Sequence, residues 1–470
     1  MPRCFLSAVL FGAAVCCCFS VGPQAKAIDR ELISEPTAAR HGLTRAWFTQ
    51  VELDHGRERL RNVTLSGGVL YVQTDGAVFE AIDAETGRVL WQKRLGRRDL
   101  LTMPPGVGRD VLAILNGSRM YVLNRMTGEL LYEKEVGGAP SAAPAVSDMR
   151  VYVPLTSGRV EAYRWAPSNH AAEAREKNAA KNDRKSKNSV ENESPQTTLD
   201  ADEKHEAEWE RRARWVPPLF CQSIGPVLAP PRITRQNAFE EYAVWSTDRG
   251  LLNITRIDRQ FEDVLALTHR LETRKPVVGR AAYLPPDRAL GDDSGLIIAA
   301  SRDGYVHAIR QKDGKVAWRF SAGDPIVEPP MAVDLRVYVC ADPSGMFCLN
   351  AKDGRLVWFA PRVVQWVAAS KTKVYAADRA GRLLVLDGMT GKLLDTLPTV
   401  GLPLKARNDL TDRIYLADDF GLIQCLHEPE QQKPILHDKD RPQTEEIQTD
   451  AAAKGEAKKP AAKKPVKSSK

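Results

Sequence analysis

Cysteine and histidine supply most of the nucleophilic, redox and metal chemistry open to a protein, and here their spacing supports none of it. Four of the eight cysteines, Cys4, Cys16, Cys17 and Cys18, fall in an apolar amino-terminal stretch, leaving Cys221, Cys340, Cys348 and Cys425. No C-x-x-C or C-x-x-C-H occurs, so zinc-ribbon and c-type haem chemistry lack their ligands. The eight histidines, at 41, 55, 170, 205, 269, 307, 427 and 437, are dispersed without ligand spacing. The metalloprotease H-E-x-x-H, the hydrolase elbow G-x-S-x-G, the phosphate-cradling G-x-x-x-x-G-K-[ST] and the calcium loop D-x-[DN]-x-[DN]-G are all absent. The sequence therefore nominates no catalytic, cofactor-binding or metal-ligating residue. Its remaining signals are structural.

The strongest of them is repetition. A β-rich run, a turn ending in glycine and a second β-rich run recur along the chain, first as VLYVQTDGAVFEAID at 69–83. Turn glycines fall at Gly76, Gly117, Gly158, Gly250, Gly304, Gly345, Gly381 and Gly421, spaced 41, 41, 92, 54, 41, 36 and 40 residues apart. Apart from one long gap, this is the period of a four-stranded propeller blade. Runs such as LIIAASRDGYVHAI (296–309) and KVYAADRAGRLLVL (373–386) are alternating or solidly apolar. The amphipathic 3.6-residue pattern of a helical solenoid is missing.

A second signature follows most hairpins: DAETGRVLW (83–91), NRMTGELLY (124–132), RQKDGKVAW (310–318), NAKDGRLVW (350–358) and DGMTGKLLD (387–395). The polar piece predicts a tight turn, and the run after it predicts the outer strand of a blade, ending in an aromatic in four of the five copies. Trp91, Trp318 and Trp358 are expected to lie across the neighbouring blade, each contributing ~2–3 kcal/mol by apolar burial. RAWFTQVEL (45–53) reads as another such strand, with Trp47 in the same role, while the last hairpin is followed by no aromatic-bearing outer strand. The amino-terminal strand is thus expected to complete the eighth blade and close the ring, which removes exposed sheet edges.

The pairing of G-x-x-x-A-[LI]-D with D-x-x-T-G-x-x-x-W resembles the PQQ-like, quinoprotein-type propeller repeat. The resemblance implies an all-β, eight-bladed β-propeller of four-stranded antiparallel blades over 41–437. Catalytic members of that class stack pyrroloquinoline quinone against a ring formed by two adjacent disulfide-linked cysteines and hold calcium or a lanthanide. The only adjacent cysteines here are in the amino-terminal stretch. No cofactor is therefore expected. Cys348 and Cys425 occupy the small-residue place held by Ala81 and Ala308, and Cys340 that of Ala376, so the cysteines read as packing residues. A cross-strand disulfide between Cys340 and Cys348 is the alternative in an exported protein.

Charge locates the disordered parts. Of the net charge of +7, residues 451–470 hold +6 (seven lysines, one glutamate) and 1–27 hold +2, leaving −1 for 28–450. This near-neutral balance argues against a basic nucleic-acid-binding surface on the folded part. Arg3, the uncharged apolar run 5–21 and Ala25-Lys26-Ala27 predict a signal peptide over 1–27, with a retained anchor or a lipidated cysteine as alternatives, although Val15 before Cys16 fits lipidation poorly. Residues 168–214, with ten basic and eleven acidic side chains, predict a solvated insertion inside the propeller. Residues 438–470 predict a disordered tail, with its Lys-rich part in weak contact with anionic lipid or cell-wall polymer. The expectation is an exported monomer of the periplasm or cell envelope, a non-catalytic scaffold for envelope proteins similar to the propeller scaffold of outer-membrane β-barrel assembly. A divergent quinoprotein dehydrogenase is the alternative.

Overall fold

The computed structural model describes residues 32–165, 217–235, 240–258, 264–287 and 295–437. The segments 1–27, 168–214 and 438–470 lie outside the described residues or within their gaps. The fold is the eight-bladed propeller that the repeat predicts: eight four-stranded antiparallel sheets. Blade one runs Leu60–Ser66, Val69–Thr74, Val78–Asp83 and Val89–Arg94. Six more blades follow in the same order, and the eighth comprises Leu404–Lys405, Ile414–Ala417, Leu422–His427 and, from the other end of the chain, Thr44–Gln50. Trp47 pairs with Cys425 in this last ladder, so the ring closes through the amino-terminal strand.

The middle strands are apolar on both faces because blades stack face to face. Eight buried apolar clusters each join two consecutive blades, from the first–second seam (Tyr71, Phe79, Leu112, Ile114) to the eighth–first seam (Leu70, Ile82, Tyr415, Ile423). This explains why the second and third strands read as continuous apolar runs, while the fourth strands alternate. Valines at strand pairs such as Val72–Glu80 and Val153–Glu161 suit a pleated, buried surface.

Seven of the eight turn glycines sit between the second and third strands of their blades, and Gly345 opens the third strand of blade six. All but Gly76 have positive φ; in blade one the left-handed residue is Ala77 (φ 58°), one position after Gly76. Gly76 is needed for a different reason, because a Cβ there would lie 2.3 Å from the buried Glu58 carboxylate.

The register corrects one assignment. Tyr338 faces Cys348 as Tyr375 faces Val385, so Cys340, two residues on, matches Ala377 and not Ala376. Cys340 itself faces Met346, and all four described cysteines are free thiols. The antiparallel pairing thus offsets Cys340 from Cys348 by two residues on the strand, and no disulfide joins them.

Candidate functional site

The D-x-x-T-G motif owes its sequence to an Asx turn. Asp83 Oδ1 accepts hydrogen bonds from the backbone N–H of Thr86 (2.8 Å) and from its hydroxyl (2.7 Å), and Asp387 repeats this with Thr390 at 2.8 and 2.6 Å. The next residue, glycine, is left-handed (Gly87 φ 71°, Gly391 φ 70°) and bare, because the indole of the preceding blade lies on it. A Cβ on Gly87, Gly128, Gly354 or Gly391 would approach Trp47, Trp91, Trp318 or Trp358 to 2.4–2.7 Å. Each indole N–H then donates to the carbonyl of the residue after the Asp or Asn: Trp47 to Ala84 (3.0 Å), Trp91 to Arg125 (2.9 Å), Trp318 to Ala351 (2.8 Å) and Trp358 to Gly388 (3.0 Å). The four indoles are buried at blade seams.

Two further residues stand at the same register position without an aromatic signal in the sequence. His269, opposite Ile254, lies over Gly314 of the fifth blade. Asp395, opposite Val385, meets His41 Nδ1 at 2.7 Å. Both residue types are polar, so a search for Trp-bearing outer strands passes over them.

A cleft of about 510 Å³ opens where blades six, seven and eight meet, at the end carrying the turns between second and third strands. Glu328 enters it from the segment before Met331–Val333, and Asp342 from the end of Arg336–Ala341. Gln365 comes from Val363–Ala369, and Asp378 to Gly381 from the turn of blade seven. Val400 and Lys405 come from the passage into blade eight. No local signal marks this set, because Glu328 and Lys405 lie 77 residues apart and the members share no motif; only the stacking of consecutive repeats brings them together.

The charges of the cleft are mostly paired. Glu328 binds Arg407, Asp342 binds Arg379, and Asp378 takes Arg382 Nε at 2.7 Å. Burial pushes the Asp378 carboxyl up, but the Arg382 guanidinium and backbone N–H outweigh it and hold the group below the ordinary aspartate range. Burial pushes the Lys405 ammonium down to about 8 against the pull of Asp378, while its Nζ donates to Leu402 O at 2.8 Å. The Cys340 thiol on the cleft wall is pushed up to about 12 by burial and by the charge of Glu328, so it is no thiolate nucleophile at neutral pH. Exposed Val327 and Val400 add apolar surface at the rim.

A quinone with its metal does not fit these residues. Cys340 is single and reduced, and no group of three His, Cys, Asp or Glu side chains among the described residues is arranged to hold a metal ion. No nucleophile–base couple converges on the cleft. What it offers is mixed charge, two apolar rim residues and backbone edges, which suit binding of a polar protein surface.

The model of the family described as outer membrane protein assembly factor BamB matches residues 37–193 and 274–419. Among curated proteins, the outer membrane protein assembly factor BamB of Legionella pneumophila (strain Paris) is 30% identical over 98 residues, 21% of this chain and 26% of that protein. Quinoprotein ethanol dehydrogenase of Pseudomonas putida is 26% identical over 124 residues, 25% of this chain and 19% of that enzyme. The chain thus spans about a quarter or less of the length of these two relatives. Among solved structures, BamB from Moraxella catarrhalis superposes with a TM-score of 0.55 at 13% identity, covering 82% of this chain and 97% of that one. The quinohemoprotein alcohol dehydrogenase ADHIIG from Pseudomonas putida HK5 gives 0.51 at 12% identity, covering 90% and 82%. At these identities the structural likeness is one of fold.

Proposed function

This chain belongs to the family described as outer membrane protein assembly factor BamB, a family of PQQ-like propellers, and from that premise we propose that it is an exported, non-catalytic scaffold that docks envelope proteins and assists outer-membrane protein assembly. The observation that supports this reading most is the cleft between blades six and eight. Its acids are held by arginines, its one thiol is pushed to about 12, and its rim presents Val327 and Val400 to solvent. Such a surface binds by shape and charge, and Lys405, the cleft group that burial brings to about 8, is tied to the Leu402 carbonyl.

The test is capture from an envelope extract with the full chain, beside the variant Val327→Glu/Val400→Glu. The scaffold reading expects components of outer-membrane assembly to be retained by the first and lost from the second. Retention by both variants alike moves docking off the cleft. The quinoprotein relatives favour the second reading, a dehydrogenase. Saturable micromolar binding of pyrroloquinoline quinone with calcium, together with dye-linked alcohol oxidation, establishes that reading and displaces the first.

A further inference from the structure

The end of the propeller opposite the cleft carries the turns between first and second and between third and fourth strands. There the segment after the last strand crosses blades eight, seven and six. The buried Arg413 guanidinium donates to Gln431 O and Gln432 O, both at 2.8 Å. Ile435 N–H donates to Asp412 Oδ1 at 2.9 Å, and His437 N–H to Leu410 O at 2.9 Å. His437 Nε2 lies 3.0 Å from Ala369 O, and its Nδ1 lies 3.5 Å from Asp334. A segment tied down at this many points nevertheless leaves Leu436 74% exposed.

Other exposed apolar side chains share this end, among them Met126, 51% exposed in the turn between the third and fourth strands of blade two. Leu335, next to Asp334, is 41% exposed, and Met389, at the turn of blade seven, is 67% exposed. Exposed Lys371 and Lys392 in the turns of blade seven, and Lys433 on the crossing segment, share this end and have no ion pair among the described residues. Of the acids at this end, Asp334 lies 3.5 Å from His437, and Glu428 meets Ser370 (2.7 Å), Tyr375 (2.8 Å) and Lys373 (3.7 Å), while Glu430 is exposed with no ion pair among the described residues, one acid against three lysines. The chain also leaves the described residues here, at His437. Beyond it lie 438–450, with five acids and two bases, and then 451–470 with its net +6.

We propose that this end of the propeller rests on an anionic lipid bilayer, with Leu335, Met389 and Leu436 entering the headgroup boundary and Lys371, Lys392 and Lys433 meeting lipid phosphates. The cleft is then turned away from the membrane, open to a partner. A polyanionic wall polymer or nucleic acid satisfies the lysines and leaves the three apolar side chains without a place; a bilayer interface takes both.

Sedimentation of the full chain with phosphatidylglycerol–phosphatidylcholine vesicles at about 0.1 M salt tests this, beside vesicles of phosphatidylcholine alone. Met389→Glu/Leu436→Glu is expected to bind the anionic vesicles roughly tenfold less than the unaltered chain, since two apolar contacts are lost and two repelled charges gained. Lys371→Glu/Lys433→Glu is expected to behave alike, and Val400→Glu, at the cleft end, to bind as the unaltered chain does. The exposed positions leave folding intact, which an unchanged melting temperature checks. Equal binding by the unaltered chain and both double variants overturns the proposal, because the tail alone then holds the chain. A loss with Val400→Glu overturns the orientation. Equal sedimentation with neutral vesicles overturns the role of charge, and binding to wall polymer without binding to anionic vesicles overturns the choice of a bilayer.

Discussion

His41 and Asp395, 354 residues apart, meet at 2.7 Å where the seventh blade faces the eighth. Four other blades place an indole at this register position, against the turn of the next blade. Blade eight has no D-x-x-T-G turn to receive one, because its outer strand comes from the amino terminus. The helix Glu35–Arg40 instead brings its capping residue His41 to the seam. A charged contact stands in for an aromatic one, and it ties the start of the chain to the blade beside the closure.

Removing that charge should weaken the seam in a pH-dependent way. Burial raises the Asp395 carboxyl, but the hydrogen bond from His41, the N–H of Thr396 and the His41 charge outweigh it, so the group lies below its ordinary value of 3.8. A depressed carboxylate contributes stability above the unfolded value and loses it as pH falls through the folded one. Asp395 is partly exposed, so Asp395→Asn is expected to cost only about 1 kcal/mol at pH 7 after screening. Urea unfolding at pH 7 and pH 3 reads this; a cost that persists undiminished at pH 3 contradicts the assignment.

Docking of the indoles is our reading of their geometry, and it makes a coupled prediction. Trp91→Ala and Trp318→Ala should each cost about 3–5 kcal/mol, the range for deleting a buried aromatic. Gly354→Ala should cost several kcal/mol alone, from a left-handed residue at φ 70° and a Cβ 2.4 Å from the Trp318 ring. In the Trp318→Ala background most of the steric part should vanish, leaving about 1–2 kcal/mol for the backbone. Additive costs in the double variant show that the two residues do not touch.

Ring closure should depend on the strand Thr44–Gln50, which forms one edge of blade eight against Leu422–His427. Deleting residues 45–53 removes the Trp47 contacts and exposes the ladder of the last hairpin, so aggregation and a loss of several kcal/mol are expected. Light scattering and thermal melting measure both. A deletion variant that stays monomeric and melts like the full chain rules this closure out.

Glu80 is 3% exposed, and its Oε1 is buried without a hydrogen-bond partner. Burial first, and the Glu52 charge second, push its carboxyl up to about 7. With the folded value raised, stability from the neutral form is fully present below the unfolded value of about 4.5 and is lost as pH rises towards 7. Glu80→Gln should therefore be more stable than the unaltered chain at pH 8, by up to about 3 kcal/mol, and nearly equal to it at pH 4. Denaturant midpoints at the two pH values decide; a less stable glutamine variant at pH 8 would show that the carboxylate has a cation partner.

Sequence alone determined the architecture, since a hairpin glycine about every 40 residues and an Asx turn before several outer strands are local requirements of backbone dihedral and capping. Such requirements are met within a few residues, and residue types record them directly: Asp83 and Thr86 spell their own turn, and Gly87 its own φ. Even ring closure was legible, because an outer strand at 45–53 without a hairpin of its own could pair only with the last one. Register was less secure. Cys340 reads as the counterpart of Ala376 in the repeat but pairs as the counterpart of Ala377 in the ladder, since two adjacent alanines in a strand buried on both faces leave no alternation to fix the position. Only the tertiary structure placed His269 and Asp395 at blade seams, gathered Glu328, Asp342, Asp378 and Lys405 around one cleft, and set Leu335, Met389 and Leu436 on the opposite end. These groupings join residues from different repeats, and no local rule of dihedral, capping or periodicity connects one repeat's side chains to another's; the stacking of blades does.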